Sequence, residues 1–504
     1  MSSHEGPSRY ARSFEVEQVL NSLTCDALRW MDALWGPATC LLRYERSHPL
    51  PRDGVRRHMV RESAWYALGL CMRNDDGDAA RVNEILGAVL AQQYRAPGAI
   101  WHGTWAQAPE DKQPIRGAVI WRDYDPNWRQ FIGATLLIML RAFPDLLSAQ
   151  IKAGIVTALR DAVEGEPADR VDARYTNIAM LRAWLEVEAG ELLQEPAWTA
   201  RGESLAAAVV DRYGRFGALD EFNSPTYYGV DLLAAALWAR QSKRLAMLGN
   251  RIEAMLWQDI ADFYHAGMGN LCGPYARAYG MDLRSYVGLV SLWLRQIETS
   301  APLPAIDENL AQGHDLCLAP FIEWLGVCVP MSARPALAQF RGARHHVRRL
   351  PGGAIASAWL SDDLMLGAMS GSRAQARDQF HPATAHWPAQ HQGEQRGVVG
   401  NLSSGARQLS QHLSQHLSQH LSQQWLRMRS DGPLHATALP GELRFTVLAT
   451  QRVTMEASTG DVFVANDVEA MRLPGMLISI ERTDDDEANQ AHYRMQFAPR
   501  PEPS

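Results

Sequence analysis

The sequence predicts a mainly α chain with a β domain behind it: an N-terminal (α/α) toroid of helical hairpins over residues 1–334, then an antiparallel β-sandwich-like domain over 335–504. Three observations predict this. Helix-length apolar periodicities follow one another through the first part of the chain. Polar helix entrances recur among them at a nearly constant spacing. Past Pro335 the texture changes to short alternating runs separated by Gly and Pro.

The helices are justified in order. Residues 14–34 place Phe14, Val19, Leu23 and Met31 at helical intervals, and 55–72 place Ala64, Leu68 and Leu70 inward. Asn74-Asp75-Asp76-Gly77-Asp78 ends the second helix, and 79–94 form a third with Val82, Ile85, Leu86, Val89 and Leu90 on one stripe. A long loop over 95–122 carries Trp101-His102-Gly103-Thr104-Trp105, and loops of that length inside a compact domain tend to be functional. Asp125 and Pro126 suit the start of a helix running to about 143, which 146–163 follow. Residues 172–188, 196–213, 232–240, 246–264 and 282–297 complete the series.

The polar entrances fall at Asp125, Asn177, Asn223 and Asp282, separated by 52, 46 and 59 residues, each the length of two helices and two turns. A hairpin period sustained over that distance predicts a closed array. If alternate helices form an inner ring, all four entrances open into one cleft. The richest is 220–231, where Asp220, Glu221, Asn223, Tyr227, Tyr228 and Asp231 crowd a helix start that Ser224 and Pro225 are suited to initiate.

In the second domain, Leu443, Phe445 and Val447 alternate with Arg444 and Thr446, as expected of a strand with one buried face. Residues 409–424 read Leu-Ser-Gln-His three times and then Leu-Ser-Gln-Gln. His412, His416 and His420 have metal-ligand spacing on a helix, but a four-residue repeat produces that spacing automatically, so a loop insertion without metal is expected.

Composition narrows the function. Apolar residues make up 46% and charged residues 21%, with a net charge of −7 and no basic block, so nucleic acid is not an expected partner. No apolar run is long enough to span a membrane, and the first ten residues show no signal-peptide pattern, so the expected location is cytoplasmic. The six Cys are scattered, as in a reduced protein without a thiolate metal site. Sixteen Trp and fourteen Tyr are a supply of flat faces on which sugar rings can stack.

A helical toroid with a cleft rich in Tyr, Asn, His and Arg, followed by an antiparallel β domain, resembles the polysaccharide lyases of the heparinase II/III and alginate-lyase groups. It is also similar to glycoside hydrolases built on α/α barrels. The Asn-Asn-His-Ser signature of one alginate-lyase group is absent. The resemblance implies β-elimination on a uronic-acid-containing poly- or oligosaccharide, without a cofactor.

That chemistry needs a group to neutralise the uronate, a base for the C5 proton and an acid for the leaving oxygen. Arg277 with Asn177 or Asn223 suits the first role. Tyr227, Tyr228, Tyr279 and His102 are the candidate acids and bases, with a neighbouring Arg expected to lower a phenol's pKa. Tyr275, Trp101, Trp105, Tyr124, Asn127 and Asp282 are candidate substrate-binding residues. His265, at a helix end, reads as a helix C-terminal histidine. Hydrolysis would instead pair Glu221 with Asp125 or Asp282. A non-catalytic glycan-binding scaffold is the third reading. Oligomeric state is not addressed by any of these features.

Overall fold

The computed structural model describes residues 20–44, 55–307, 310–371, 379–388, 423–483 and 490–499. Its helices are α1 (Ser22–Leu34), α2 (Val60–Arg73), α3 (Asp78–Ala91), α4 (Trp128–Ala142), α5 (Ala149–Glu164) and α6 (Thr176–Leu193). There follow α7 (Pro196–Phe216), α8 (Tyr227–Gln241), α9 (Ala246–Phe263), α10 (Leu289–Arg295), α11 (Ala319–Leu325) and α12 (Arg334–Ala338).

Alternate helices form the inner wall of a ring. α2 packs on α4, α4 on α6, α6 on α8, α8 on α10, and α11 closes the circle against α2. Outside them α3, α5, α7 and α9 each pair with the preceding inner helix. The burial pattern follows from this position. α6 is buried without interruption from Thr176 to Gly190 and α8 from Tyr228 to Trp238, because neighbours surround them on every side. The outer α5 and α7 bury one stripe and show the rest to solvent. Where α8 meets α10 the backbones nearly touch: a Cβ on Gly229 would lie 2.3 Å from Leu289 Cβ, and Trp293 Nε1 donates to Gly229 O at 2.9 Å.

Short strands trim the ring. β1 (Trp35–Gly36), β2 (Leu41–Tyr44) and β3 (Arg57–Met59) form one small antiparallel sheet, and β4 (Tyr264–His265) pairs with β5 (Asn270–Leu271). The helix expected over 55–72 therefore starts only at Val60, after a strand that pairs with β2.

From Arg344 the chain is β: β6 (Arg344–Arg349), β7 (Ile355–Leu360), β8 (Met365–Ser370), β9 (Ala383–Pro388), β10 (Gln423–Ser430) and β11 (His435–Leu439). It continues with β12 (Glu442–Leu448), β13 (Val453–Ala457), β14 (Val462–Val464), β15 (Ala470–Leu473), β16 (Met476–Thr483) and β17 (Gln490–Pro499). One antiparallel sheet has the order β14-β13-β10-β9-β8-β7-β6 and the second β11-β12-β17-β16-β15. Leu443, Phe445 and Val447 point inward between the sheets, and Phe445 stacks on Tyr493 with ring centroids 4.7 Å apart.

The larger sheet is a middle layer. Met365 and Met369 of β8 join the core of the helical ring, while Leu366 and Ala368 join the sandwich core, the two-residue alternation of a strand buried on both faces. Gly367, on the ring-facing side, touches the backbone of Gly273: a Cβ there would lie 2.0 Å from Gly273 C. Only glycine permits that approach.

The structure departs from two further expectations. Asp282 does not open a helix; α10 begins at Leu289, and residues 282–288 run as turns in which Asp282 accepts from Arg284 N. Of the 409–424 repeat, Gln423 and Gln424 belong to β10 rather than to a loop, and Gln423 is buried against Asn270 of β5. The remainder, with His412, His416 and His420, lies outside the described residues, as do the first ten residues and the start of the helix expected over 14–34.

Candidate active site

The inner helices α4, α6 and α8 begin at one end of the ring, and the segment 272–281 crosses the same end. Asn223 fixes that segment. Its backbone takes φ +50°, and its Nδ2 donates to Cys272 O (2.7 Å) and Pro274 O (3.0 Å). Ser224 does two jobs at the start of α8: Oγ accepts from Tyr227 N at 3.0 Å and donates to Arg277 O at 2.6 Å. The β domain completes the clamp, with Tyr275 and His381 paired as a backbone bridge and Ala278 N bonded to Gln379 O at 2.7 Å.

These ties gather a compact polar group. Tyr227 and Tyr279 share a hydrogen bond between their hydroxyls at 2.6 Å. The Arg277 guanidinium lies 4.1 Å over the Tyr227 ring and donates through Nε (3.1 Å) and Nη2 (2.7 Å) to Gln379 Oε1. Arg277 forms no ion pair among the described residues. Below it Glu221 is buried, its Oε2 accepting from Asn177 N at 3.1 Å. Asn177 Nδ2 is buried without a hydrogen-bond partner. On the neighbouring wall Asn127 Nδ2 donates to the Tyr175 hydroxyl at 2.7 Å, and Arg170 Nη1 donates to Asn127 Oδ1 at 2.8 Å.

Electrostatics follow from burial. It pushes the Glu221 carboxyl up to about 7, against the pull of Arg277. Asp231, one helical turn beyond Tyr227, is fully buried with neither carboxyl oxygen hydrogen-bonded, and desolvation with Glu221 nearby holds it far above the carboxylate range. Burial also raises Tyr227 and Tyr279, and Arg277 only partly offsets it. The expectation that a neighbouring Arg would leave a phenol with a lowered pKa is therefore reversed: desolvation is the larger effect.

Several expected residues lie elsewhere. Tyr228, about 100° further round α8 than Tyr227, has its hydroxyl 3.4 Å from Asp259 Oδ2 of α9. Tyr275 is fully buried between domains, bonded to Leu271 O and flanked by the edges of His381 and His386. Asp282 is buried at the same seam, where Oδ2 accepts from Gln423 N, so it cannot pair with Glu221. Asn223 spends its amide on backbone carbonyls. Trp105 is core, and Trp101 packs edge-on against Tyr124 in the 95–122 loop. His102 stays in that loop, with Nδ1 accepting from Ala96 N and Nε2 3.8 Å from Asp161. His265 stacks on Phe340 and bonds Ser361 O. Asp123 pairs with Arg122 at the surface.

A family model described as "Domain of unknown function (DUF8769)" matches residues 21–326. The chain belongs to the DUF8769 family. No curated protein matches it. Among solved structures, the DUF8769 chain is similar to a Streptomyces coelicolor A3 chondroitin AC lyase in complex with chondroitin sulphate, at 10% identity and TM-score 0.43, over 98% of this chain and 78% of that one. It is similar to heparinase III at 9% identity and TM-score 0.42, over 98% of this chain and 85% of that one.

The DUF8769 site also includes residues that sequence reasoning missed. Tyr175 immediately precedes the Thr176-Asn177 helix start, and the entrance logic that singled out Tyr227 applies equally to it. Arg61 of α2, held by Glu62 and stacked 4.6 Å over Trp65, and Asp315 bear electrostatically on Tyr279. Neither carries a sequence signal, because each sits among other polar residues and at no recognised helix entrance. Gln379 comes from the β domain, 102 residues after Arg277. Among the described residues no group of His, Cys, Asp and Glu could hold a metal ion, and no helix is long and apolar enough to cross a membrane.

Proposed function

We propose that this DUF8769 chain is a lyase that cleaves a uronic-acid-containing glycan by β-elimination. The observation that carries the proposal is Arg277: a half-buried cation that donates to the neutral Gln379 amide and lies directly on the Tyr227–Tyr279 pair. A half-buried guanidinium with no ion pair among the described residues, beside a Glu221 carboxyl that burial holds up to about 7, can take a further anion, and a uronate supplies one. The unpartnered Asn177 Nδ2 is a second donor for the same carboxylate.

With the uronate held there, the negative charge that develops when C5 loses its proton is stabilised. The two phenols account for both proton movements. When either ionises, the phenolate keeps the other hydroxyl as a donor and lies against Arg277. That phenolate takes the C5 proton, the C–H electrons form the C4–C5 double bond, the C4–O bond breaks, and the leaving oxygen takes a proton from a phenol. Glu221 and Tyr175 act on these groups electrostatically.

One observation favours a hydrolase instead. A Glu221 carboxyl held near 7 suits a general acid, with Asp125, which like Glu221 bears electrostatically on Tyr175, as its partner. The deciding assay incubates the protein with polymeric and oligomeric uronates and follows ultraviolet absorbance and reducing ends together. A lyase raises both, because its product is unsaturated. Reducing ends with flat absorbance would eliminate the lyase and leave the hydrolase.

A further inference from the structure

A second cleft lies where α1, the turn after β4 and the end of α10 meet. It encloses about 870 Å³, within the range of small-ligand clefts. α1 contributes Asp26, Arg29 and Trp30, and the turn contributes Ala266 and Gly267. Arg284, Arg295 in the last turn of α10 and residues 299–306 complete the lining. Trp30 is buried and joins two of these walls, its Nε1 donating to Asp307 O at 3.0 Å. None of Glu221, Tyr227, Arg277 and Tyr279 lines the cleft, so it is separate from the polar group described above.

Charge points to the kind of ligand. Along the lining three arginines face one aspartate, an excess of two positive charges. Arg29 is exposed and donates to Asp26 Oδ1 at 2.6 Å. The other two are half-buried and form no ion pair among the described residues. Arg284 donates from Nη1 to the Met268 carbonyl, and Arg295 makes no hydrogen bond among the described residues. Both act electrostatically on the Tyr264 phenol, so the two guanidinia lie around one group. Burial holds Arg295 below its ordinary value, and Asp26 and Glu298 offset that only in part. Glu298 is itself engaged by Ser300, through N at 3.2 Å and Oγ at 2.8 Å. The Arg284 guanidinium rests against a turn that requires glycine: Gly269 takes φ +62°, and a Cβ there would lie 2.6 Å from Nη2. One cation is desolvated and the other is fixed in place, and neither has a counter-anion. The 301–306 wall is apolar instead, built from Ala301, Leu303 and Ile306, with Pro302 and Pro304 supplying no backbone donor.

We infer that this cleft binds a small organic phosphate, a monoester whose phosphate group is held by Arg284 and Arg295, with Arg29 adding charge, and whose apolar part lies against 301–306. A phosphate monoester brings a charge of about −1.5 to −2 at neutral pH, which matches the excess along the lining, whereas a carboxylate or a sulfate ester brings one. Guanidinium groups also suit phosphate oxygens through paired donation. The inference goes beyond the lyase reading and does not depend on it.

The test is isothermal titration of the full chain with phenyl phosphate, compared with inorganic phosphate, phenyl sulfate and benzoate. Phenyl phosphate should bind saturably with a Kd at or below about 1 mM, and each of the other three at least about fivefold more weakly. Arg295→Gln and Arg284→Gln should each weaken it at least about tenfold, the scale of one lost charge-assisted hydrogen bond. Arg277→Lys, in the other site, should leave it unchanged. Arg284→Gln also loses the bond to Met268 O, whereas Arg295→Gln breaks no ion pair, so the second variant, with its melting midpoint measured alongside, separates lost contact from altered folding. No saturable heat from phenyl phosphate up to about 10 mM overturns the site, and so does unchanged binding in the folded Arg295→Gln chain. Equal binding of phenyl sulfate or benzoate overturns the phosphate assignment, and equal binding of inorganic phosphate overturns the apolar contact. Binding lost in Arg277→Lys but kept in Arg295→Gln would move the anion to the other site and overturn the inference.

Discussion

Replacing Glu221 by glutamine tests the electrostatics beneath the cleft. The Glu221 carboxyl is buried, and its ordinary value of 4.5 is raised to about 7. That displacement corresponds to about 3 kcal/mol, the upper limit because Asp231 shares the same desolvated space. The folded state binds the proton more tightly than the unfolded chain, so this stability is fully present below the ordinary carboxylate range and is lost as pH rises through about 7. An amide at this position would not titrate, and its carbonyl can still accept from Asn177 N. The Glu221→Gln protein should therefore match the parent near pH 4.5 and exceed it at pH 8 by up to about 3 kcal/mol. With an unfolding entropy of about 2.1 cal/mol/K per residue, a chain of this length gains about 3 °C in midpoint for that difference. Calorimetric or fluorescence melting of both proteins at the two pH values reads it directly. A variant no more stable than the parent at pH 8, or one displaced equally at both pH values, refutes the reasoning.

The site makes further predictions. Tyr227→Phe should lower turnover about 100-fold or more, while Tyr228→Phe, about 100° further round the same helix, should keep turnover and cost about 1 kcal/mol of stability; paired steady-state kinetics and melting compare them. Because burial raises both phenols, kcat/KM on a uronate substrate should climb from pH 7 to pH 9, whereas a profile falling through about pH 7 would assign proton donation to Glu221 and favour hydrolysis. Arg277→Lys keeps the charge but loses the flat stacking and the paired donation to Gln379, so kcat/KM should fall at least about tenfold; near-parental kinetics would show that the guanidinium does not hold the substrate.

The ring was legible because its outer helices carry a one-sided apolar stripe and its inner helices start with polar residues and are apolar over much of their length. The second domain was legible where a strand has one wet face, as in β12. Strands buried on both faces, such as β8, lack that polar alternation and were legible as short β-rich apolar runs between turn residues. Asp282 misled because Asp before an apolar run resembles a helix cap, whereas here it braces a turn against a strand 141 residues later. Within the site, sequence could locate the α8 entrance but not the helix phase, so Tyr227 and Tyr228 carried equal weight although only one faces the cleft. Tyr275 was obscured for a related reason: its polar surroundings in sequence say nothing of the β domain that buries it. Gln379 was beyond reach because its partnership with Arg277 depends on how the two domains meet.

That partnership makes the seam a setting for the chemistry. A chain ending where the family match ends, at residue 326, keeps Glu221, Tyr227, Arg277 and Tyr279 but lacks the acceptor that aims the guanidinium. Because Gln379 sits on the backbone that pairs with 275–278, a small rotation between the domains carries Arg277 and its acceptor together or parts them. The angle between the domains is thereby coupled to the aim of the guanidinium, and under the proposed lyase function an agent that wedges the seam open would inhibit without touching the cleft.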